Sequence, residues 1–343
     1  MLRTRLTEEY GLEHPFISAG MGFLALPELT AAVCNAGGLG ILGASPGPPE
    51  YAAALIRQTR TLTQRLFAVD FVVDSSPALG EFTTEAHMDV CIAERVRVAV
   101  FHWHLPPRAW SERLRGAGAK VWMQVGSVAA AREAVAAGAD AIIAQGSEAG
   151  GHSRANTGLI SLLPAVVDAI APVPVIAAGG IADGRGVAAA LALGAQAVCV
   201  GTRLIASREA YAHAEYKRRV VAASVDDITR THIFGVEWPD QPMKVIANRV
   251  VREWAGRTER TPPSPQPPQF IGRTKMGGQD YPMPKYSSFL PTPDTEGDFE
   301  EMCLAAGESA GLVREIKPAA DIIREMMASA EHLLRQRLPA MVV

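Results

Sequence analysis

Eight short apolar runs recur between Phe16 and Val200 at intervals wide enough for a helix: Phe16–Ser18, Leu39–Leu42, Phe67–Val72, Val96–Phe101, Lys120–Val125, Ala141–Ala144, Val173–Ala177 and Ala197–Val200. None alternates with polar residues, the pattern of strands buried on both faces in a parallel sheet covered by helices. Pro27–Asn35, Pro49–Thr61, Ser127–Ala137, Leu159–Ile170 and Gly186–Leu193 read as the intervening helices. Gly37, Gly138 and Gly194 stand where left-handed caps would stop three of them. The stretch from Val135 to Gly146 also resembles that from Leu191 to Thr202, as a repeated helix–glycine–strand unit would. Eight such units predict an α/β fold, a (β/α)8 TIM barrel.

The texture changes after Arg203. Ala206–Ala223 and Val245–Trp254 read as helices, and Pro262–Pro293 holds nine prolines and the Gly277-Gly278 pair, too proline-rich for regular structure. Helical pattern resumes at Phe299–Ala306 and Pro318–Leu338, where Ile322, Ile323, Met326, Met327 and Ala330 repeat at helical spacing. The expected organisation over the 343 residues is a barrel at 1–208, a helical and proline-rich arm at 209–298, and C-terminal helices packing back on the barrel at 299–343. The arm is expected to cover the mouth as a lid or to embrace the second subunit of a homodimer.

Charge and cysteine content narrow the partners. With 33 Lys+Arg against 36 Asp+Glu and no basic block, the chain offers no electrostatic footprint for nucleic acid or an anionic membrane, so small molecules are the expected partners. Cys34, Cys91, Cys199 and Cys303 form no CxxC pair, which argues against zinc and disulfide frameworks and for a reducing cytoplasm. The N-terminus lacks the apolar stretch of a signal peptide. Gly194 and Gln196 break up the most apolar region, Gly186 to Val200, so no membrane span is expected.

In such a barrel, chemistry belongs where strands end. After the sixth run comes Gln145-Gly-Ser-Glu-Ala-Gly-Gly-His152, in which Gly150 and Gly151 let backbone approach a ligand and His152 can exchange protons near neutral pH. Gly179 and Gly180 follow the seventh run, and Gly201 and Thr202 follow the eighth. Those two loops commonly build a phosphate site from backbone N–H groups. Arg203 beside them is read as contacting an anion or pairing at the surface. His102 and His104, at i and i+2 after the fourth run, have a spacing that could direct both rings to one side as metal ligands. Trp103 between them and the lack of a carboxylate motif favour packing, and no metal is expected.

Taken together, these motifs resemble the nitronate monooxygenase family of flavin-dependent barrels. The likeness rests on Ser18-Ala-Gly-Met21, Asn35-Ala-Gly-Gly-Leu-Gly40, Ala144-Gln-Gly-Ser-Glu-Ala-Gly-Gly-His152, Ala178-Gly-Gly-Ile-Ala-Asp-Gly184 and Gly201-Thr-Arg203, and covers most of residues 14–210. A weaker likeness continues through Asn248–Trp254 and Ala306–Leu312. The resemblance implies an FMN cofactor, with Gly20 and Met21 beside the isoalloxazine and Ala19 and Asp70 also among the cofactor-binding residues. It also implies Gly179, Gly180, Gly201 and Thr202 at the phosphate, Gln124 and Gln145 at the polar edge or ribityl chain, and Ala178 among the cofactor-binding residues. His152 would be catalytic base or orienting donor, and Gly150-Gly151 would lie close to the cofactor. It implies oxidation of nitronates by O2 to a carbonyl compound and nitrite. Asp70 departs from the Asn of many relatives, and a carboxylate there would disfavour an anionic reduced flavin unless protonated or turned away. His102 and His104 depart as well. Three other readings stay open: an NAD(P)H-dependent flavin reductase of enoyl-thioester or quinone type, a metal-dependent hydrolase built on His102, His104 and His152, and a cofactor-free isomerase.

Overall fold

A computed structural model describes residues 2–45, 47–257, 260–276 and 279–342. Each apolar run is a strand: β1 (Phe16–Ser18), β2 (Gly40–Gly43), β3 (Phe67–Val73), β4 (Val98–Trp103), β5 (Lys120–Val125), β6 (Ala141–Gln145), β7 (Val175–Ala178) and β8 (Ala197–Val200). They pair in parallel in the order β1-β8-β7-β6-β5-β4-β3-β2. A bridge between Ile17 and Leu39 brings β1 against β2, closing the (β/α)8 barrel.

The two-residue period of the strands divides their side chains between two cores. Ile17, Leu39, Ile41, Val98, Val100, Trp122, Ile143 and Ile176 fill the barrel interior. Phe16, Leu42, Val69, Phe101, Met123, Ile142 and Val198 face outward into the layer shared with the helices. Both faces are therefore apolar, which is why the runs show no alternation. The first helix, α1 (Arg5–Tyr10), plugs the N-terminal end of the barrel: Leu6 and Tyr10 pack into the inner core, and the Trp122 indole donates to the Tyr10 hydroxyl at 3.0 Å.

The outer ring comprises α2 (Pro27–Asn35), α3 (Pro49–Leu62), α4 (Glu85–Ala93), α5 (Arg108–Gly116), α6 (Val128–Ala136), α7 (Leu159–Ile170) and α8 (Gly184–Ala192). Gly37, Gly138 and Gly194 take the expected left-handed conformation, at φ +88°, +92° and +99°. The eighth helix is only a single turn, α9 (Thr202–Ile205).

Beyond it the structure departs from the sequence reading. The helix expected from Ala206 starts only at α10 (Ala214–Ala222), because residues 207–209 serve the C-terminus: Ser207 bridges to Lys317, and the Glu209 carboxylate accepts from the Ala319 amide at 2.9 Å. The helix expected at Val245–Trp254 divides. β9 (Ile228–Thr231) pairs with β10 (Met243–Ile246), and Asn248 then caps the short α11 (Arg249–Glu253).

The proline-rich stretch carries a hairpin, β11 (Phe270–Met276) and β12 (Gln279–Pro284). Pro282 and Pro284 are tolerated because β12 is the outer strand of its sheet, where a missing N–H breaks no ladder. The Gly277-Gly278 pair lies outside the described residues. Phe299–Ala306 is a buried loop rather than a helix, with Ala305 bridged to Val245. The last helix, α12 (Ala319–His332), sets Ile322, Ile323, Met326, Met327 and Ala330 into the outer core beside α2 and α8. A Cβ on Gly184 would lie 2.5 Å from the Ala330 amide nitrogen, so glycine there lets α12 dock on the first turn of α8.

Candidate active site

Two residues beyond the last apolar inward position, several strands turn polar. Val100 is followed on the same face by His102, Trp122 by Gln124 and Ile143 by Gln145, while Ala68 is followed by Asp70 on β3. These residues line one deep cavity at the C-terminal mouth. Ala19, Gly20, Met21, Gly150, Gly151, His152, Ala178, Gly179, Gly180, Gly201 and Thr202 line it too, so the candidate cofactor-binding and catalytic residues meet in one place, while Arg203 and His104 stay outside it.

One end of the cavity is almost bare backbone. Gly179 and Gly180 have φ of +100° and +72°, and a side chain on Gly179 would press on the Ala149 nitrogen at 3.1 Å and the Gly146 carbonyl at 3.2 Å. Gly150 is held as tightly: its Cβ would fall 2.3 Å from the Gly307 nitrogen. The Thr202 hydroxyl accepts from that same nitrogen at 3.0 Å, tying the segment after Ala306 to the β8 loop. Main-chain dipoles at the start of α9 and glycine backbone in place of side chains suit a phosphate group. Arg203 is buried outside this cavity, its Nη1 without a hydrogen-bond partner, and so neither reading of it holds: it lines no anion site here and is not at the surface.

His152 is fixed from both sides. Its backbone forms a two-residue strand, Gly151–His152, antiparallel to β10 with Met243 opposite His152. Its ring lies 4.6 Å from that of Trp238 and 6.0 Å, edge-on, from that of Trp103. Nε2 is buried without a hydrogen-bond partner. Burial first, and then the charges of His102 and His232, push its pKa down to about 3, so the imidazole is neutral.

The side chains that pack over His152 come from the arm expected at 209–298, but none of them was singled out in the sequence. Trp238 donates from its indole to Asp74 at 2.9 Å. The buried Glu237 carboxylate accepts from the Ser287 hydroxyl and the Ser288 amide, both at 2.7 Å, and from the Ser288 hydroxyl at 2.9 Å. Phe289 stacks edge-on with Phe23 across the opening. The only local hint was an aromatic residue beside a carboxylate in a loop.

Two of the three departures from the family pattern, Asp70 and His102, turn out to be partners. His102 Nδ1 lies 3.1 Å from Asp70 Oδ1, so the carboxylate has a histidine partner within hydrogen-bond reach and does not stand alone in the cavity. Burial opposes the charged ring, but the Asp70 charge and hydrogen bond prevail and raise the His102 pKa above its ordinary 6.5. A Cβ on Gly20 would lie 2.4 Å from the Asp70 Cβ, so glycine is what admits this carboxylate. His104 does not join His102. Trp103 between them adopts φ +82°, breaking the strand alternation, and His104 lies in an adjoining cavity hydrogen-bonded to Arg154 at 3.2 Å. Among the described residues no cluster of three His, Cys, Asp or Glu is arranged to hold a metal.

No described helix is long and apolar enough to cross a membrane. A relative from Rhodococcus jostii (strain RHA1), (3aS,4S,5R,7aS)-5-hydroxy-7a-methyl-1-oxo-octahydro-1H-indene-4-carboxyl-CoA dehydrogenase, is 41% identical over 231 residues, which is 66% of this chain and 62% of that protein. The match thus spans less than two thirds of that relative. FabK from Thermotoga maritima superposes with a TM-score of 0.81 at 33% identity over 100% of both chains. Nitroalkane oxidase from Streptomyces ansochromogenes superposes with a TM-score of 0.79 at 29% identity, over 97% of this chain and 99% of the other. The family model for nitronate monooxygenase matches residues 3–329. With that match running from the first helix into α12, the chain belongs to the nitronate monooxygenase family, whose members are flavin-dependent oxidoreductases.

Proposed function

We propose that the protein is an FMN-dependent nitronate monooxygenase that converts an alkyl nitronate and O2 to a carbonyl compound and nitrite. The observation that carries this reading is a buried, unpartnered His152 Nε2 in the same cavity as the two glycine loops. The residues fit the cofactor: Gly179, Gly180, Gly201 and Thr202 would hold its phosphate, Ala178 would lie alongside, and Ala19, Gly20 and Met21 would lie against the ring system. Gln124 and Gln145 would serve its polar groups, with Gly150 and Gly151 closing over it. FMN, when bound, supplies the electron transfer from nitronate and onward to O2.

The chain's own part is to bind an anion, exclude water and place a hydrogen-bonding group. His152 does the last. A base whose pKa is about 3 has little driving force to take a proton from carbon at neutral pH. The site is therefore suited to substrates that arrive already as nitronates, with His152 orienting them through Nε2. Residues 209–298 act as the lid within the same chain, braced internally by Glu237 on Ser287 and Ser288 and tied to the barrel by the Trp238 indole on Asp74. The test is oxygen uptake and nitrite release by FMN-loaded protein with propyl nitronate and with neutral nitropropane. Nitronate should be turned over faster, and His152→Asn should retain FMN while kcat/KM falls about 10²–10³-fold. Unchanged kcat/KM would remove the assignment.

A thioester reading also has an observation behind it. A second cavity of about 400 Å3 adjoins the first, shares Gln124, Gln145 and His152 with it, and holds Arg154 above the Trp103 ring at 5.5 Å. A small nitronate leaves that space unused, and the Rhodococcus relative and FabK are, by their names, a CoA-thioester dehydrogenase and a FabK protein. Rapid anaerobic bleaching by NADPH, with an enoyl thioester as acceptor and no nitrite in air, would favour it.

A further inference from the structure

We propose that His102 is a second substrate-binding residue, receiving the anionic oxygens of the nitronate, and that Asp70 is the positioning residue that holds it. The inference deepens the nitronate reading and rests on it. The geometry comes from strand pairing: in the β3–β4 register Asp70 lies opposite Val100 and Val72 opposite His102, so Asp70 and His102 share the inward face two rungs apart. Nδ1 of His102 is engaged by Asp70 at 3.1 Å, which leaves Nε2 as the donor available to a ligand. The His102 side chain keeps 20% exposure and lines the cavity, whereas Asp70 keeps 8% and is wedged against Gly20. Such an arrangement orients one imidazole and leaves its far end for an anion.

The surrounding groups make His102 the cationic member of the site. The other titratable groups on the cavity wall are Asp70 on β3, Cys199 on β8, His152 beyond β6, Tyr216 on α10 and Glu237 on the lid. Cys199 is a neutral thiol, its pKa pushed up to about 12 by burial and by Asp70. The Tyr216 phenol is fully buried, donates to the Ala305 carbonyl, and is pushed up by burial. Glu237 is consumed by Ser287 and Ser288. His104 and Arg154 line the adjoining cavity instead. The two histidines thus divide the work, since environments that push two titratable groups apart assign their roles. His102 brings positive charge to the substrate, and that same charge helps keep His152 neutral.

The experiment uses FMN-loaded protein and inorganic nitrate, a planar anion with delocalised charge like a nitronate, with binding read from the flavin absorbance between pH 6 and 10. Nitrate binding should weaken about tenfold per pH unit once His102 deprotonates, and Asp70→Asn should move that break to lower pH. His102→Gln should weaken nitrate about tenfold or more and abolish the break, and His102→Lys should restore binding by returning the charge. In parallel, carbon-labelled histidine NMR of the FMN-loaded protein should show the His102 transition falling in Asp70→Asn. Nitrate binding indifferent to His102→Gln, or a break unmoved by Asp70→Asn, overturns the proposal. Because nitrate binding needs no turnover, the two readings fail separately. His102-dependent nitrate binding without nitronate turnover sinks only the nitronate activity, whereas nitronate turnover with His102-independent nitrate binding sinks only the role of the pair.

Discussion

The neutral state of His152 has a consequence for stability that can be measured without any substrate. Its ordinary pKa of 6.5 in the unfolded chain falls to about 3 in the folded one. Between those values the unfolded chain binds a proton that the folded protein refuses, so stability present above pH 6.5 is lost as pH falls toward 3. Going from pH 7.5 to pH 5.0 this one group removes about 2 kcal/mol, at about 1.4 kcal/mol per pKa unit. His152→Gln removes the titrating ring. Urea unfolding of the flavin-free wild type and variant at both pH values should therefore show the wild type losing about 2 kcal/mol more than the variant on acidification. Other histidines, including His14 and His213, whose pKa values burial also lowers, titrate in both proteins and largely cancel. Parallel pH dependence in the two proteins would mean that the folded state protonates His152. The argument for nitronates over neutral nitroalkanes would then lose its basis.

Trp122 is fully buried in the inner core and bonded to Tyr10, so Trp122→Ala should cost about 3–5 kcal/mol in urea unfolding, and a loss below about 1 kcal/mol would contradict the plugged-barrel description. Gly20→Ala places a Cβ 2.4 Å from that of Asp70. It should destabilise by about 1–3 kcal/mol and lower the His102 transition in NMR; an unshifted transition would show that the pair survives. All four cysteines are buried, and burial pushes the Cys34 thiol up to about 11 and Cys91 to about 12, so the native protein should resist a disulfide-exchange reagent at pH 8 while the urea-unfolded chain reacts at all four. Fast labelling of the native protein would refute that.

The barrel was legible because its strands are apolar on both faces and its helices end on glycines, both of which are local signals. The glycine loops and His152 were legible for the same reason: Gly179, Gly180 and Gly201 mark places where backbone must approach something closely. What escaped depends on distant contacts. Ser207–Glu209 has helix-forming neighbours but is recruited by Lys317 and Ala319, more than a hundred residues away. Pro282 and Pro284 argued against a strand, yet an edge position removes the objection. His102 and His104 invited a metal reading from spacing alone, and only the backbone reversal at Trp103 separates them. Counting by twos from Val98 through Val100 would have put His102 on the inward face with Asp70. Trp238 and Glu237 reach the site from a loop whose placement nothing local encodes.

The central claim is tested most directly by mixing FMN-loaded protein with propyl nitronate in air while recording oxygen and nitrite together. The account predicts oxygen consumption matched by nitrite release, with flavin that NADPH alone does not bleach quickly in the absence of air. No oxygen uptake and no nitrite, together with rapid anaerobic bleaching by NADPH, would contradict it.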